Sequence, residues 1–228
     1  MRLAIFITGN KERILQEFED FARTIEPAAL TMDRVELRDH ASQMIDTFVD
    51  DLKTYQSADA RIERSRGQHK KPLIETYAEV HATQRLNAGY TVNQLVSEYR
   101  ALRSSVLRLW VAAPRASLDS DPEDVMRFHE AIDQALAESV SRFSEVTASL
   151  AEMERSRLDA ILNAAPVGIA VVDASGKMNV FNPENQRLWG PPPETAGEDV
   201  AVWKAWCVDD RPELSHWGCG QNLGLLWR

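Results

Sequence analysis

The chain has little of what export, membrane insertion or a disulfide framework would require. Its 228 residues include two cysteines, Cys207 and Cys219, whose spacing fits neither a disulfide framework nor a zinc site. The apolar run at the start, Leu3 to Thr8, is far shorter than a membrane span and is not followed by a small-residue cleavage site. We therefore expect free thiols in a cytoplasmic protein with no membrane anchor and no bound metal.

An excess of positive charge is also lacking. The formal net charge of -9 argues against a general nucleic-acid binder and against adhesion to an anionic membrane. The basic run from Arg61 to Lys71 predicts a solvated loop or, alternatively, a docking surface for an acidic partner. Neither nucleic acid nor a membrane is therefore expected as a partner.

Catalytic motifs are missing as well. The sequence has no glycine-rich nucleotide loop, no G-x-x-x-x-G-K-[ST] segment and no phosphoacceptor histidine in the context of a kinase helix. His129 precedes Glu130 on a predicted helix, but such a pair is commonplace on helix surfaces. We predict that this chain is not an enzyme.

What the first two thirds of the chain does have is helical periodicity. Between Lys11 and Arg157 the apolar residues recur at the spacing of amphipathic helices, and the connections are short. A first stripe ends before Pro27 and a second begins near Asp33. This pattern predicts four or five antiparallel helices around one core.

The segment from His81 to Trp110 is the clearest helix, turn and helix in the sequence. Gly89 stands where a left-handed residue ends a helix, and Thr91 with Gln94 forms the capping box of the next. The apolar stripe of the second helix consists of Val92, Leu95, Val96, Tyr99, Leu102, Val106 and Trp110. The apolar face of the first helix consists of Ile74, Tyr77 and Ala78 around His81.

Charged and titratable groups fall on these apolar faces, which leaves two interpretations open. In the first, His81 is bonded to a backbone carbonyl and Arg103 to a carboxylate, either Glu98 or one from another helix. In the second, His81, Arg85 and Arg103 line a sensing pocket that holds a small anion or responds to pH. A lone core histidine also raises the question of haem, but one histidine on one helix does not predict it, and we expect no cofactor.

The helix after Pro122 has a heptad seam. It consists of Leu136, Val140, Phe143, Thr147 and Leu150, and it ends where Glu154 and Arg157 fall on it. The helix is either the last of the bundle or one that leaves the bundle to form a homodimer and pass a signal onward. The two interpretations are compatible if the first end of the helix packs in the bundle and the other end leaves it.

From Leu158 the pattern changes to that of a small α+β domain. We predict a short helix, a strand over 167 to 173, a second strand over 177 to 182, and a helix that starts at Pro183 with Asn182 as its N-cap. The final run, SHWGCGQNLGLLWR, has no consistent period, which suggests that the domain is cut short.

Several segments resemble the N-terminal sensor domain of the stressosome co-antagonist (RsbR-type) family. They are DDLKTYQS at 50 to 57, RSRG at 64 to 67, HATQRLNAGY, LVSEYRALRSSVLRLW and FHEAIDQALAESVSRF. The resemblance implies a globin-like helical fold, commonly without haem, over nearly all of residues 1 to 150. Such domains also stand at the front of bacterial sensor histidine kinases.

The segment from Leu158 resembles the opening of a PAS domain. That resemblance implies a ligand cleft lined by Phe181, Trp189, Trp203 and Trp206, with ordinary core packing as the alternative for each. A PAS sheet has five strands, whereas the sequence predicts two here.

Together these features predict a mainly α chain: a globin-like helical bundle, a long linking helix and an incomplete PAS-like segment. The expected domains are 1–135 for the sensor, 136–157 for the linking helix and 158–228 for the PAS-like part. The expected function is the non-catalytic input region of a bacterial signalling protein, foremost the sensor portion of a two-component histidine kinase. The alternative is a stressosome-type scaffold. The expected partners are a second copy, bound through Leu136 to Leu150, and signalling proteins.

Overall fold

A computed structural model describes residues 2–54, 62, 74–113, 122–172 and 178–190, and these residues are mainly helical. The helices are α1 (Leu3–Ala22), α2 (Arg34–Lys53), α3 (Tyr77–Asn87), α4 (Val92–Val111), α5 (Pro122–Ala164) and α6 (Pro183–Trp189), with a 3-10 turn at Ala28–Thr31. Two strands, β1 (Ala170–Val172) and β2 (Met178–Phe181), form the sheet of this part. The predicted mainly α class is confirmed.

Contacts divide the chain into two compact units, Met1–Ser149 and Leu150–Arg228. The first holds α1 to α4 and most of α5, and the second holds the end of α5, the hairpin and α6. The predicted boundaries after residues 135 and 157 stay predictions.

Helix α1 begins earlier than the first predicted stripe. The apolar run at the start of the chain forms its first turns, and Leu3, Phe6 and Ile7 are buried in the main core. They join Ile14 and Phe18, two residues of the predicted stripe. Because α1 packs against α2 and α4, this run is part of the bundle core.

Local sequence signals fix the starts of three helices. Capping boxes begin α2 at Asp33, α3 at Thr76 and α4 at Thr91, each with a side chain three residues later returning a hydrogen bond to the cap. The predicted box of Thr91 and Gln94 is confirmed.

The predicted turn at Gly89 is confirmed as well. Its φ of 83° is in the left-handed region, where glycine has no steric penalty. The Gly89 N–H donates to the Leu86 carbonyl and the Tyr90 N–H to the Arg85 carbonyl, both at 2.9 Å, which is the Schellman pattern. The turn therefore fixes where α4 leaves α3.

The predicted apolar faces of α3 and α4 need correction. Ile74 is 81% exposed, and Tyr77 is exposed too, because α3 begins only at Tyr77. The buried side of α4 is rotated from the predicted stripe: Glu98 and Ser105 are buried, whereas Val96 is half-buried. The stripe was right at Leu95, Tyr99, Leu102, Val106 and Trp110.

The first turns of α5 hold the ends of two other helices. The backbone N–H of Leu3, at the start of α1, donates to Asp124 Oδ2 at 3.0 Å. The Arg127 guanidinium donates to the carbonyls of Leu52 at 3.3 Å and Thr54 at 2.6 Å, and to that of Asp51, at the end of α2. An acid at a helix N-terminus and a base at a C-terminus both oppose the helix dipole, so both contacts are favourable.

In the second unit the prediction was right for the order of strands and wrong for the helix before them. No separate short helix begins at Leu158, because α5 continues to Ala164 and residues 150–164 contain no glycine or proline. The strands are antiparallel, with Val171 opposite Val180, and are shorter than predicted. Asn182 caps α6 through the Asn185 N–H, as predicted.

Candidate functional site

The main core contains a cluster of ionisable side chains, the Glu98 cluster, made of His81 and Arg85 on α3 and Glu98 on α4. All three side chains are at most 1% exposed. Arg85 Nε lies 2.9 Å from both carboxylate oxygens of Glu98, and His81 Nε2 lies 3.1 Å from Oε2. Buried charges are tolerated where they are paired and hydrogen-bonded, and Glu98 supplies that pairing here.

The remaining contacts of Arg85 connect α2 to α3 and to the turn between α3 and α4. Its NH2 donates to the Leu37 carbonyl at 3.1 Å, and its NH1 lies 3.4 Å from the Met32 sulfur. The guanidinium also lies over the ring of Tyr90, 5.2 Å from the centroid, as a cation–π contact. One side chain thus contacts α2, α4 and the turn before α4.

The environment of His81 favours the neutral form of its imidazole. Burial is the largest cause that lowers its pKa; Arg85 and His40 lower it further, while the charge and hydrogen bond of Glu98 raise it. Because the carboxylate accepts the hydrogen bond, the proton of the neutral ring is on Nε2. The other nitrogen, Nδ1, has no hydrogen-bond partner among the described residues. A neutral histidine leaves the charges of Arg85 and Glu98 balanced.

A polar chain connects the cluster to α5. The rings of His81 and Tyr99 meet edge to face with centroids 5.9 Å apart. The Tyr99 hydroxyl is 2.7 Å from Ser139 Oγ, which in turn donates to the Ala78 carbonyl at 2.6 Å. Burial raises the pKa of Tyr99 well above its usual range, so the hydroxyl stays protonated. Helices α3, α4 and α5 therefore meet at one hydrogen-bonded point.

A second buried carboxylate, Glu19 on α1, is held in another way. It is fully buried, but two of its partners, Arg23 at 2.7 Å and Arg34 at 3.0 Å, are 52% and 57% exposed. Arg38 approaches to 3.5 Å and also binds Glu12 at 2.6 Å. These arginines reach the carboxylate from the surface of the bundle.

The structure brings two of the three predicted sensing residues together. His81 and Arg85 share Glu98, whereas Arg103 is paired with Asp133 of α5 and its side chain is 28% exposed. The partner of Arg103 is thus a carboxylate from another helix, one of the alternatives considered. The partner of His81 is a carboxylate and not the backbone carbonyl of the first interpretation.

Sequence reasoning missed Glu98 as the centre of the cluster. A usable signal was present, because Glu98 follows Leu95 by three residues and precedes Leu102 by four, which places it beside two core residues of α4. The missing information was the rotation of α4 about its axis, which turns that edge toward α3.

A cavity of about 550 Å³ lies beside the polar chain, between α2, the start of α3 and α5. Its apolar wall includes Met44, Phe48 and Ala135. At its rim Thr76 donates to Glu138 Oε2 at 2.8 Å. Met44 connects this cavity to the polar chain, because its sulfur is 3.2 Å from the Tyr99 hydroxyl.

The described residues offer no group of three or more His, Cys, Asp or Glu that could hold a metal ion. The Nε2 atom of His81, which would be the ligand of a haem iron, is hydrogen-bonded to Glu98. The expectation of no cofactor stays a prediction. Among the residues that the structure describes, no helix combines the length and the apolar character needed to cross a membrane.

The predicted PAS cleft falls largely outside this description. Phe181 is half-buried on β2, and Trp189 ends α6 without its side chain being described. Trp203 and Trp206 lie outside the described residues, as does most of the basic run from Arg61 to Lys71. The cleft stays a prediction.

Comparison with known protein families gives a match to most of the bundle. Residues 12–158 match the family described as the RsbT co-antagonist protein rsbRD N-terminal domain. No curated protein and no solved structure matches the chain at a significant level. The family match takes in the second half of α1, all of α2 to α4 and α5 up to Leu158, together with the Glu98 cluster and Ser139. With well over half of its length matched, the chain belongs to the RsbT co-antagonist N-terminal domain family.

Proposed function

We propose that this chain is the input region of a stressosome-type signalling protein, in which the packing of the bundle is communicated to partner proteins through α5. The observation that carries the proposal is the family match to residues 12–158, since domains of this family act in signalling and are not catalytic. The match ends inside α5, so the family domain and the long helix are one continuous element.

The two halves of α5 differ in the way a signal-carrying helix requires. Its first half buries Phe128 and Ile132 in the bundle core. Further along, Leu150 is 53% exposed and Met153 is 65% exposed. A change in packing at the buried half has a continuous helix as its path to an apolar surface that a partner can bind.

We infer that a second copy of the chain pairs with this exposed part of α5. The predicted seam includes Leu136 and Phe143, which are partly buried against the bundle core. Val146, Leu150, Met153 and Ala160 lie at spacings of four, three and seven, as in a heptad seam, and Arg157 occupies the seam position between the last two. We therefore propose a dimer seam C-terminal to Phe143, further along α5 than the predicted Leu136 to Leu150.

Size-exclusion chromatography with light scattering on the full chain tests both statements. We expect a dimer that becomes a monomer when Leu150 and Met153 are changed to lysine. Lysine at Ile5 and Val111, two apolar positions elsewhere that are at least 60% exposed, is the matched control and should leave the dimer intact. Assembly into a large complex with a stressosome-type co-antagonist supports the proposal, and a chain that stays monomeric and binds no such partner contradicts it.

A second candidate function is the sensor portion of a two-component histidine kinase. The antiparallel hairpin followed by the Asn182-capped helix favours it, because this order resembles the start of a PAS domain. The coding sequence that follows residue 228 separates the two candidates. A kinase catalytic domain there supports the second function, and a stressosome-type output domain supports the first.

A further inference from the structure

We propose that His81 is a proton-operated latch on α5: uptake of one proton by its imidazole opens the Glu98 cluster and releases the Tyr99–Ser139 hydrogen bond. The inference rests on the proposed function only in taking α5 as the output element. It names the input, which the family match does not provide.

The first step is that the closed cluster has no place for a protonated His81. In the closed state Nε2 donates to Glu98, which already accepts two contacts from Arg85. A proton taken from solvent would bind to Nδ1, the nitrogen that has no partner among the described residues. The result is an unbonded N–H in the core and a net positive charge buried beside Arg85, and both are unfavourable.

The second step concerns the charges that face His81 from the surrounding helices. Arg85 on α3 and His40 on α2 both disfavour a positive imidazole, and burial disfavours it more than either. Glu98 on α4 is the group that favours it. On α5 the group connected to the cluster is Ser139, a neutral hydroxyl that is hydrogen-bonded to Tyr99, and no charged group of α5 is among the causes that shift the pKa of His81. Protonation is therefore accommodated by a movement of the ring away from this position.

The third step is the path from His81 to α5. Tyr99 follows Glu98 directly in the sequence and meets the His81 ring edge to face, so a displacement of either group moves the Tyr99 ring. The Tyr99 hydroxyl holds Ser139, and Ser139 holds the carbonyl of Ala78, three residues before His81 on α3. The contacts form a closed circuit, and opening it at His81 loosens the attachment of α5.

Nuclear magnetic resonance on the isotope-labelled full chain tests the latch across a pH titration. We expect the His81 ring to titrate with a midpoint below the ordinary histidine value of 6.5, and the backbone amides of Ala78 and Ser139 to shift with the same midpoint. His81→Gln keeps an N–H for Glu98 but cannot take up the proton, so these amide shifts should disappear. His129→Gln on α5 is the matched control and should leave them unchanged.

A second variant separates the latch from a purely structural role. In Ser139→Ala the His81 ring should still titrate, while the amides of α5 around position 139 should no longer follow it. This variant and the native titration decide the question even where His81→Gln does not fold. A His81 ring that titrates without any response at Ser139, or that stays neutral until the chain unfolds, overturns the latch.

Light scattering on the same samples distinguishes a failure of the latch from a failure of the proposed function. Shared titration of His81 and Ser139 in a chain that never assembles with a partner supports the latch and contradicts the proposed function. Assembly without shared titration does the reverse.

Discussion

Glu98 and Glu19 are buried to the same extent but are held by partners of opposite kinds. The partners of Glu98 are themselves buried, so the whole group of charges is withdrawn from water. Two of the three arginine partners of Glu19, Arg23 and Arg34, are more than half exposed and keep much of their hydration, whereas Arg38 is 18% exposed. The exposure of a carboxylate is therefore a poor guide to its role, and the exposure of its partners decides how costly its loss is.

The largest expected effect is that of Glu98→Gln. This change keeps the size of the side chain but leaves the Arg85 guanidinium in the core without a counter-charge, which costs about 3–5 kcal/mol of unfolding free energy. Urea denaturation followed by circular dichroism measures it. A loss below about 1 kcal/mol would contradict the idea that the cluster is closed to water.

Glu19→Gln should cost less, about 1–2 kcal/mol, because Arg23 and Arg34 can turn to solvent when the carboxylate is removed. Part of this loss should vanish in high salt, since ions screen exposed guanidinium groups and not buried ones. Denaturation at two salt concentrations measures both numbers. Equal losses for the two glutamates would remove the distinction between them.

The stability of the folded chain should depend on pH through His81, which belongs to the Glu98 cluster and not to the surroundings of Glu19. Burial lowers its folded-state pKa below the ordinary 6.5, so as pH falls the unfolded chain takes up the proton first. Stability should fall from about pH 6.5 downward, by at most about 1.4 kcal/mol per pH unit for this one group. His81→Gln should flatten that part of the curve, whereas His129→Gln should not. An unchanged slope in His81→Gln would show that another group is responsible.

The smallest expected effect is that of Tyr99→Phe. It deletes one hydroxyl and its hydrogen bond to Ser139 while the ring stays in place, so about 1 kcal/mol should be lost. Thermal or urea denaturation measures the loss. Tyr77→Phe on α3 is the matched control, because Tyr77 is 49% exposed and the change should have little effect. A similar loss in both variants would contradict a special role for the Tyr99 hydroxyl.

The features that could be predicted from the sequence are those decided within one helical turn. The Gly89 turn, the Thr91 box and the Asn182 cap depend on residues at most five positions apart, so the local sequence pattern was sufficient. The helical class followed from periodicity in the same way. His81 and Arg85 were recognised as unusual for a core face because each is visible on its own helix.

The features that were missed depend on which helices are neighbours. Glu98 is the centre of the cluster because the rotation of α4 turns it toward α3. Arg103 pairs with Asp133 because α5 packs beside that part of α4. The contacts of Asp124 and Arg127 join residues that are more than seventy positions apart. No spacing rule within one helix contains that information.

Those two contacts also determine what kind of motion α5 can make. Because its first turn is bound to α1 and α2, we expect α5 to pivot near Asp124 when the Tyr99–Ser139 contact opens. At 1.5 Å per residue, Ser139 is about 22 Å from the pivot and Ser149 about 38 Å. A sideways displacement that begins at the Tyr99–Ser139 contact therefore grows by more than half before the helix leaves the first unit.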